Sequence, residues 1–333
     1  MTTHLEREIN EQPEVAARLL DRLLTQLADL RGHLTSRGAE GVYLVARGSS
    51  DNAARYAQYL WPVRARVTVT LATPSLATVY DVPPDLRHQA VVAVSQSGRS
   101  PDVVAVVEQA REAGRPTLAI TNDPASPLAE AAEVVVDLAA GRERSVAATK
   151  TYTGSLLALA VLGVALQDGG TGADDLRRVP DALAEAISGT SGTDEAAQAL
   201  ARVDRAVAVG RGLNLATAHE TALKVTELTG TLVAPYSPAD LMHGPVAAVG
   251  RDVPALLVAP DEPATASVLE ALPELERRGA PVVVLGRDGP ALPDWLTPLA
   301  AIVPGQLLAW RVAEMRGVDV DNPGDLSKVT LTR

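Results

Sequence analysis

The sequence contains no cysteine, which excludes disulfides, zinc–thiolate and iron–sulfur sites and any cysteine nucleophile. Positive charge is also scarce: 30 basic residues face 41 acidic ones, and the net charge of −11 argues against nucleic acid or an anionic membrane as a partner. The longest apolar run, 156–166, is shorter than the ~20 residues that span a bilayer, and the N-terminus has no apolar signal core. We therefore expect a cytoplasmic protein.

The length and composition are typical of a globular enzyme. At ~100–200 residues per domain, 333 residues predict two domains. A chain of this length buries about three-quarters of its unfolded surface, so it needs no disulfide or metal to be stable. A hydrophobic content of 47% with 21% charged residues excludes a disordered chain.

An approximate internal repeat organises the chain. Each half has three apolar runs separated by helix-like segments: VYLVARGSS, VVAVSQSG and TLAITND in the first, AVAVGRGLN, ALLVAP and VVVLGRD in the second. Arg47 and Arg211 occupy equivalent places in the two halves. Apolar runs of about five residues that alternate with helical patterns indicate βαβ units and a parallel sheet. The repeat predicts two doubly wound, flavodoxin-like α/β domains in tandem.

The domain boundaries follow from composition. The polar, glycine-rich stretch Asp168–Asp175 is the best linker candidate, and the tail after Gly317 has too few apolar residues to form a domain. A tail of this kind either frays or folds over a neighbouring site. The predicted parts are a helical arm (1–30), a first α/β domain (31–167), a linker with a connecting helix (168–195), a second α/β domain (196–315) and the tail (316–333).

The segment 95–102, SQSGRSPD, is the first candidate for a binding site. It follows an apolar strand and opens a helix, with Ser100 suited to the N-cap and Pro101 to the first turn. Its serine hydroxyls, with backbone amides freed by Gly98, would cradle a phosphate monoester at the carboxyl end of a strand. An ordinary strand–helix turn that uses the serines only as caps fits the same residues, and the segment lacks the P-loop lysine.

Two further turns follow apolar strands. Ser49 and Ser50, in the turn 46–52, would supply hydroxyls to the same ligand, although they also suit a simple capped turn. The segment from Gly210, GRGLNL, starts like a dinucleotide fingerprint but lacks its third glycine. We expect no cofactor.

The helical segment 219–230 carries Glu220, Lys224 and Glu227 at spacings of four and three, which place them on one face. They form either an exposed ion pair worth a few tenths of a kcal/mol or part of a proton-transfer site. His243 follows in a loop, and an imidazole beside a carboxylate and an amine suits proton transfer on a sugar. No histidines have metal-ligand spacing, so we expect no metal.

Several motifs, taken together, resemble a known family. These are SQSG-x-S, VAATKTYT (146–153), ETALKVTE, HGP (243–245), DVDNPGDLSK (319–328) and the opening LEREINEQP. In this order, over nearly the whole chain, they resemble the isomerase part of the glucosamine-6-phosphate synthases, in the sugar isomerase (SIS) family. The family's glutaminase domain uses a cysteine nucleophile, so this cysteine-free sequence is not expected to hydrolyse glutamine.

The resemblance implies roles for particular residues. Glu227 would be the base that moves a proton between C1 and C2, with Lys224 assisting beside it. Lys328 would form a Schiff base with the open-chain ketose, and His243 would open the sugar ring from the neighbouring subunit of a homodimer. The residues around the sugar phosphate would be Ser49, Ser50, Ser95, Gln96, Ser97, Ser100, Val146, Ala148 and Ser327, with Arg47 and Arg99 as nearby cations.

Two departures from the family leave the substrate open. The family usually has an acidic residue in place of Arg99 and a serine in place of Ala148. The leading expectation is an enzyme that converts glucosamine 6-phosphate to fructose 6-phosphate and ammonia, with a fructosamine-phosphate deglycase as a close variant. The first alternative is a lyase that abstracts the C2 proton of N-acetylglucosamine 6-phosphate and eliminates at C3. The second is a non-catalytic sugar-phosphate sensor.

Overall fold

The computed structural model describes residues 2–189, 193–322 and 328. Within them the helices are α1 (His4–Asn10), α2 (Gln12–Leu23), α3 (Leu27–Leu34), α4 (Ser49–Ala65), α5 (Ser75–Thr78), α6 (Pro101–Glu112), α7 (Pro127–Ala131), α8 (Lys150–Leu166), α9 (Ala173–Leu176), α10 (Val179–Ser188), α11 (Thr193–Leu200), α12 (Leu215–Thr229), α13 (Pro238–Met242), α14 (Thr265–Leu269), α15 (Leu272–Arg277) and α16 (Thr297–Met315). The strands are β1 (Gly41–Ala46), β2 (Thr68–Leu71), β3 (Gln89–Val94), β4 (Thr117–Thr121), β5 (Val134–Asp137), β6 (Arg205–Val209), β7 (Leu232–Tyr236), β8 (Ala255–Val258) and β9 (Val282–Leu285).

The described chain divides into two compact units, each built on one sheet. The first-sheet unit comprises Glu14–Arg142 and Lys150–Arg177. The second-sheet unit comprises 2–13, Glu143–Thr149 and the described residues from Arg178 to Lys328. The contiguous domain boundaries expected from composition stay a prediction.

In the first-sheet unit, five parallel strands lie in the order β2-β1-β3-β4-β5. Nearly every residue of β1, β3 and β4 is buried, as in a parallel sheet that helices cover on both faces. Helix α4 contacts β1 and packs against α8, which is buried along its whole length. Helix α6 contributes to an apolar cluster with β1, β3 and β4.

In the second-sheet unit, four parallel strands lie in the order β7-β6-β8-β9, and α12 packs against α16. The predicted fold class, two parallel-sheet α/β domains, is confirmed. All six apolar runs of the repeat form strands: β1, β3 and β4 in one half and β6, β8 and β9 in the other. Strands β2, β5 and β7 lie outside the six apolar runs and are additions that the structure makes to the predicted repeat.

The stretch Asp294–Met315, which contains α16, is the single helical stretch of the described residues that is long and apolar enough to cross a membrane. Its most apolar window is 83% buried inside the protein. The helix also contacts α10, α11 and α12, as a core helix of a globular unit does. Packing within the protein therefore accounts for its apolar character.

Candidate active site

The candidate phosphate cradle lies where the strand order of the first sheet reverses. Strands β1 and β3 are neighbours, and the register pairs Ala46 with Val94. The turns that follow, 47–50 and 95–100, therefore leave the same edge of the sheet side by side. Ligands of doubly wound sheets bind at such a point, outside the carboxyl ends of the strands.

The local geometry of the 95–100 turn keeps hydroxyl donors available. Ser95 Oγ accepts a hydrogen bond from the Gly98 amide at 3.2 Å, and Ser97 Oγ accepts one from the Arg99 amide at 3.3 Å. A hydroxyl that accepts in this way keeps its own proton to donate to a phosphate oxygen. Gly98 has φ +61°, and a Cβ there would collide with the side chain of Ser126. Ser100 takes the N-cap position of α6 as predicted, but its hydroxyl makes no capping bond.

The two arginines expected beside the phosphate each carry a carboxylate partner. Arg47 Nε donates to Asp102 Oδ2 at 2.6 Å, and that aspartate is only 2% exposed. Arg99 Nη2 donates to Asp123 Oδ2 at 3.2 Å. Their positive charge at this edge is therefore partly neutralised, and the hydroxyls and backbone amides are the polar groups of the turns that would contact an anion.

The predicted face of α12 holds a buried ionic cluster. Lys224 Nζ lies 2.5 Å from Glu227 Oε2 and 3.4 Å from Glu220 Oε1. The side chains of Lys224 and Glu220 are 1% and 0% exposed, whereas that of Glu227 is 26% exposed. The interpretation as an exposed ion pair is therefore wrong, because this face of α12 is buried inside the protein. Glu227 is the member of the cluster that a ligand can reach.

Opposing effects act on the Lys224 amine. Burial by itself would lower its pKa, but the charges of Glu220 and Glu227 together raise the pKa above its ordinary value, and Glu143 adds to this. Lys224 is therefore a permanent ammonium near neutral pH. Such a group places a fixed positive charge beside the Glu227 carboxylate and does not itself accept a proton.

Lys328 lies in a second cluster of the same unit. Its Nζ donates to Glu143 Oε2 at 2.7 Å and to the Ser145 carbonyl at 2.6 Å. Sequence reasoning missed Glu143, although this carboxylate stands only three positions before the VAATKTYT motif. The loop 143–149 also has two buried hydroxyls, on Ser145 and Thr149, without a hydrogen-bond partner among the described residues.

The rarity of lysine strengthens the case for these amines. The 30 basic residues include only three lysines, Lys150, Lys224 and Lys328. Lys150 opens α8 and donates to the Arg142 carbonyl at 3.0 Å. All the other basic residues are arginines. Each lysine is therefore a position where the chain has an amine although a guanidinium is its usual cation.

The remaining predicted site residues are more scattered. His243 is exposed at the end of α13, and its Nδ1 donates to the Ala239 carbonyl at 2.6 Å, which leaves Nε2 as the reactive nitrogen of the neutral ring. Val146 and Ala148 are half-buried on the loop 143–149. Ser327 lies outside the described residues. No group of acidic and histidine side chains that could hold a metal occurs in the part of the chain that the structure describes.

The equivalent edge of the second sheet is occupied by the protein's own side chains. After β6, Asn214 donates to Glu262 Oε1 at 3.0 Å and to Thr297 Oγ1 at 2.9 Å. Burial raises the Glu262 pKa to about 7; the Asn214 hydrogen bond opposes this shift, and the charge of Asp294 adds to it. A carboxyl group here disfavours a second phosphate.

Glu262 is expected to reduce stability as the pH rises from about 4.5 to about 7. In that range the unfolded chain releases the proton that the folded chain retains, so ionisation favours unfolding. Glu262→Gln should match the wild type at pH 4.5 and be more stable at pH 8 by about 1–2 kcal/mol, a value reduced for partial exposure. Urea denaturation at both pH values measures this. The exposed Glu270→Gln is the control, and a Glu262→Gln difference that does not change with pH would contradict the expectation.

Comparison with known proteins places this geometry in a family. The SIS domain profile matches residues 37–165 and 199–288, and the chain belongs to the SIS domain family. Glutamine–fructose-6-phosphate aminotransferase (isomerizing) from Pseudomonas aeruginosa is 31% identical over 359 aligned positions, which cover 97% of this chain. The chain spans 57% of that relative's length. This confirms the resemblance to the isomerase part of such enzymes.

Two solved structures share the fold along their whole length. A Silicibacter pomeroyi protein, described provisionally as a phosphosugar isomerase, has a TM-score of 0.87 and 34% identity, over 95% of this chain and 99% of that one. Glucosamine-6-phosphate deaminase from Thermotoga maritima has a TM-score of 0.81 and 22% identity, over 99% of this chain and 100% of that one. The second likeness shows the fold alone.

Proposed function

We propose that this chain is a phosphosugar isomerase that deaminates an amino-sugar 6-phosphate, converting glucosamine 6-phosphate and water to fructose 6-phosphate and ammonia. The observation that carries the proposal is the pairing of a reachable carboxylate, Glu227, with a buried ammonium, Lys224, on α12. A second amine, that of Lys328, forms an ion pair with Glu143 in the same compact unit. Aldose–ketose proton transfer and imine exchange require such groups.

Proton transfer is assigned to Glu227. The carbonyl group of the open-chain sugar acidifies the C2–H bond, and the carboxylate takes that proton and returns it at C1. The Lys224 ammonium donates to this carboxylate at 2.5 Å and so fixes the position of the base. Because Lys224 does not give up its proton readily, it also offsets the negative charge that develops near the site.

Release of ammonia is assigned to Lys328. Its ammonium passes a proton to the Glu143 carboxylate, which lies 2.7 Å away. The neutral amine then adds to C2 of the ketose imine, and the C2–N bond to the original amino group breaks as ammonia departs. Water hydrolyses the lysine imine to fructose 6-phosphate and frees the amine, and Glu143 returns its proton to restore the Lys328 ammonium. One water is consumed for each ammonia released.

The phosphate would be bound by the cradle of the first-sheet unit. Ser95 and Ser97 have hydroxyl protons to donate, and their turn opens α6, whose N-terminal dipole favours an anion. His243, exposed with Nε2 available, would open the sugar ring across the interface of a homodimer. We propose the cytoplasm as the location, since the substrate is a phosphorylated metabolite.

Proton NMR in D2O, with glucosamine 6-phosphate and its N-acetyl derivative in separate tubes, tests the proposal. Fructose 6-phosphate that carries deuterium, with free ammonium, is the expected result. Lys328→Arg is the matched control: it keeps the charge but cannot form a reducible imine, so borohydride trapping with fructose 6-phosphate should label only the wild type. An unsaturated product from the acetylated sugar would identify a lyase instead. Binding without reaction in both tubes would indicate a sensor.

A further inference from the structure

The loop 143–149 provides two hydrogen-bond acceptors for the Lys328 amine. The Ser145 carbonyl and the fully buried Glu143 carboxylate both accept from Nζ, and the lysine side chain is 24% exposed. The other oxygen of Glu143 accepts from the Thr149 amide at 3.0 Å, which closes the loop on itself. The position of the amine therefore depends on where this short loop is held.

A carboxylate from the N-terminal helix holds the loop. Glu8, on α1, is only 4% exposed, and its two oxygens accept from consecutive backbone amides, that of Arg144 through Oε1 and that of Ser145 through Oε2, the latter at 3.1 Å. Hydrogen bonds to an ionised acceptor are about twice as strong as neutral ones. Glu8 thus binds the amide of Ser145, the same residue whose carbonyl accepts from Lys328.

The same helix also binds Asp321 through two backbone amides. The two carboxylate oxygens of Asp321, seven positions before the lysine, accept from the amides of His4 and Leu5 at 2.8 and 3.1 Å. Helix α1 is itself fixed on α16, where Gln12, just beyond its end, donates to Gln306 at 2.9 Å. Helix α1 therefore makes hydrogen bonds both to the loop 143–149 and to Asp321.

We propose that Glu8 is a positioning residue for the Lys328 amine, acting through the backbone of the loop 143–149. The inference rests on the proposed function in one respect, the chemical role of Lys328. The placement of the amine is independent of that role. Apolar packing already secures α1, through the buried Leu5 and Ile9, so helix attachment alone does not require a buried carboxylate aimed at two loop amides.

Amine acetylation of the ligand-free protein tests the placement. The chain has three lysines, and Lys150 and Lys224 are 3% and 1% exposed, so these two report any general unfolding. Sulfosuccinimidyl acetate should modify Lys328 at least ~5-fold faster in Glu8→Gln than in the wild type, with Lys150 and Lys224 unchanged. The reason is that the oxygen and the NH2 group of a glutamine amide cannot both accept from the two backbone amides. The loop 143–149 is then held less firmly against Lys328, and the amine becomes more accessible.

Turnover provides the second measurement. For glucosamine 6-phosphate, Glu8→Gln should lower kcat by about 10–100-fold, the cost of displacing a reacting group by about 1 Å, with KM changed less than ~3-fold. Glu8→Asp keeps the charge one methylene shorter and should fall between the wild type and Glu8→Gln. Glu11→Gln, an exposed neighbour on the same segment, removes the same charge and should change neither kcat nor labelling.

The outcomes separate the two proposals. If the wild type releases ammonia and Glu8→Gln matches it in Lys328 labelling and kcat, the positioning role of Glu8 is wrong and the proposed function stands. If the wild type shows neither turnover nor trapping while Glu8→Gln still increases Lys328 labelling selectively, the proposed function fails and the positioning of the amine stands. Equal acceleration at all three lysines would mean that Glu8 serves only folding, which overturns the proposal.

Discussion

Glu227→Gln is expected to lower turnover of glucosamine 6-phosphate by about 10²–10⁴-fold, the usual contribution of a general base. The amide has nearly the same shape and still reaches the substrate, but it cannot take the C2 proton. Deuterium incorporation from D2O should fall by the same factor, because the two measurements share this proton transfer. Binding of the sugar phosphate, followed by ligand-induced thermal stabilisation, should change little, since the cradle is untouched.

The control for this variant is Glu276→Gln, which neutralises an exposed glutamate of α15 in the same unit. It should retain full turnover. A Glu227→Gln protein that binds and also turns over normally would remove Glu227 from the mechanism. A Glu227→Gln protein that loses binding together with turnover would assign the residue to ligand recognition.

Lys224→Met is expected to destabilise the protein by about 3–5 kcal/mol, since removing one partner of a buried ion pair leaves an uncompensated charge. Methionine fills most of the volume of the lysine stem, so packing alone predicts a small loss. The carboxylate of Glu220, with 0% exposure, would then be buried without its ammonium. Urea denaturation at pH 7 measures the change in the free energy of unfolding.

A second substitution separates charge from packing in this variant. Lys224→Met combined with Glu220→Gln should recover a large part of the lost stability, because the buried negative charge is gone. Glu220→Gln alone leaves Lys224 paired with Glu227 at 2.5 Å and should cost less than Lys224→Met. Equal losses in the single and double variants would show that the amine contributes by packing rather than by charge.

Short-range patterns predicted the parts of the site that are local in the chain. The serines of 95–100 follow β3 directly, so a strand–turn–helix pattern was enough to place their hydroxyls at the edge of a parallel sheet. The spacing of Glu220, Lys224 and Glu227 likewise predicted a shared helix face. It did not predict that this face is buried, because burial depends on α16, which packs against α12 from about 80 positions along the chain.

Sequence by itself determined that the chain has no cysteine chemistry, that strands alternate with helices, and that its motifs resemble those of the SIS family. Only the tertiary structure decided which groups support the Lys328 amine, since Glu8, Glu143 and Lys328 have no regular spacing and lie far apart in the chain. Periodicity shows which side chains share a face of one element. No sequence pattern predicts which backbone amides a side chain contacts more than a hundred residues away, because all peptide groups are chemically alike. Such contacts are selected only when the units fold.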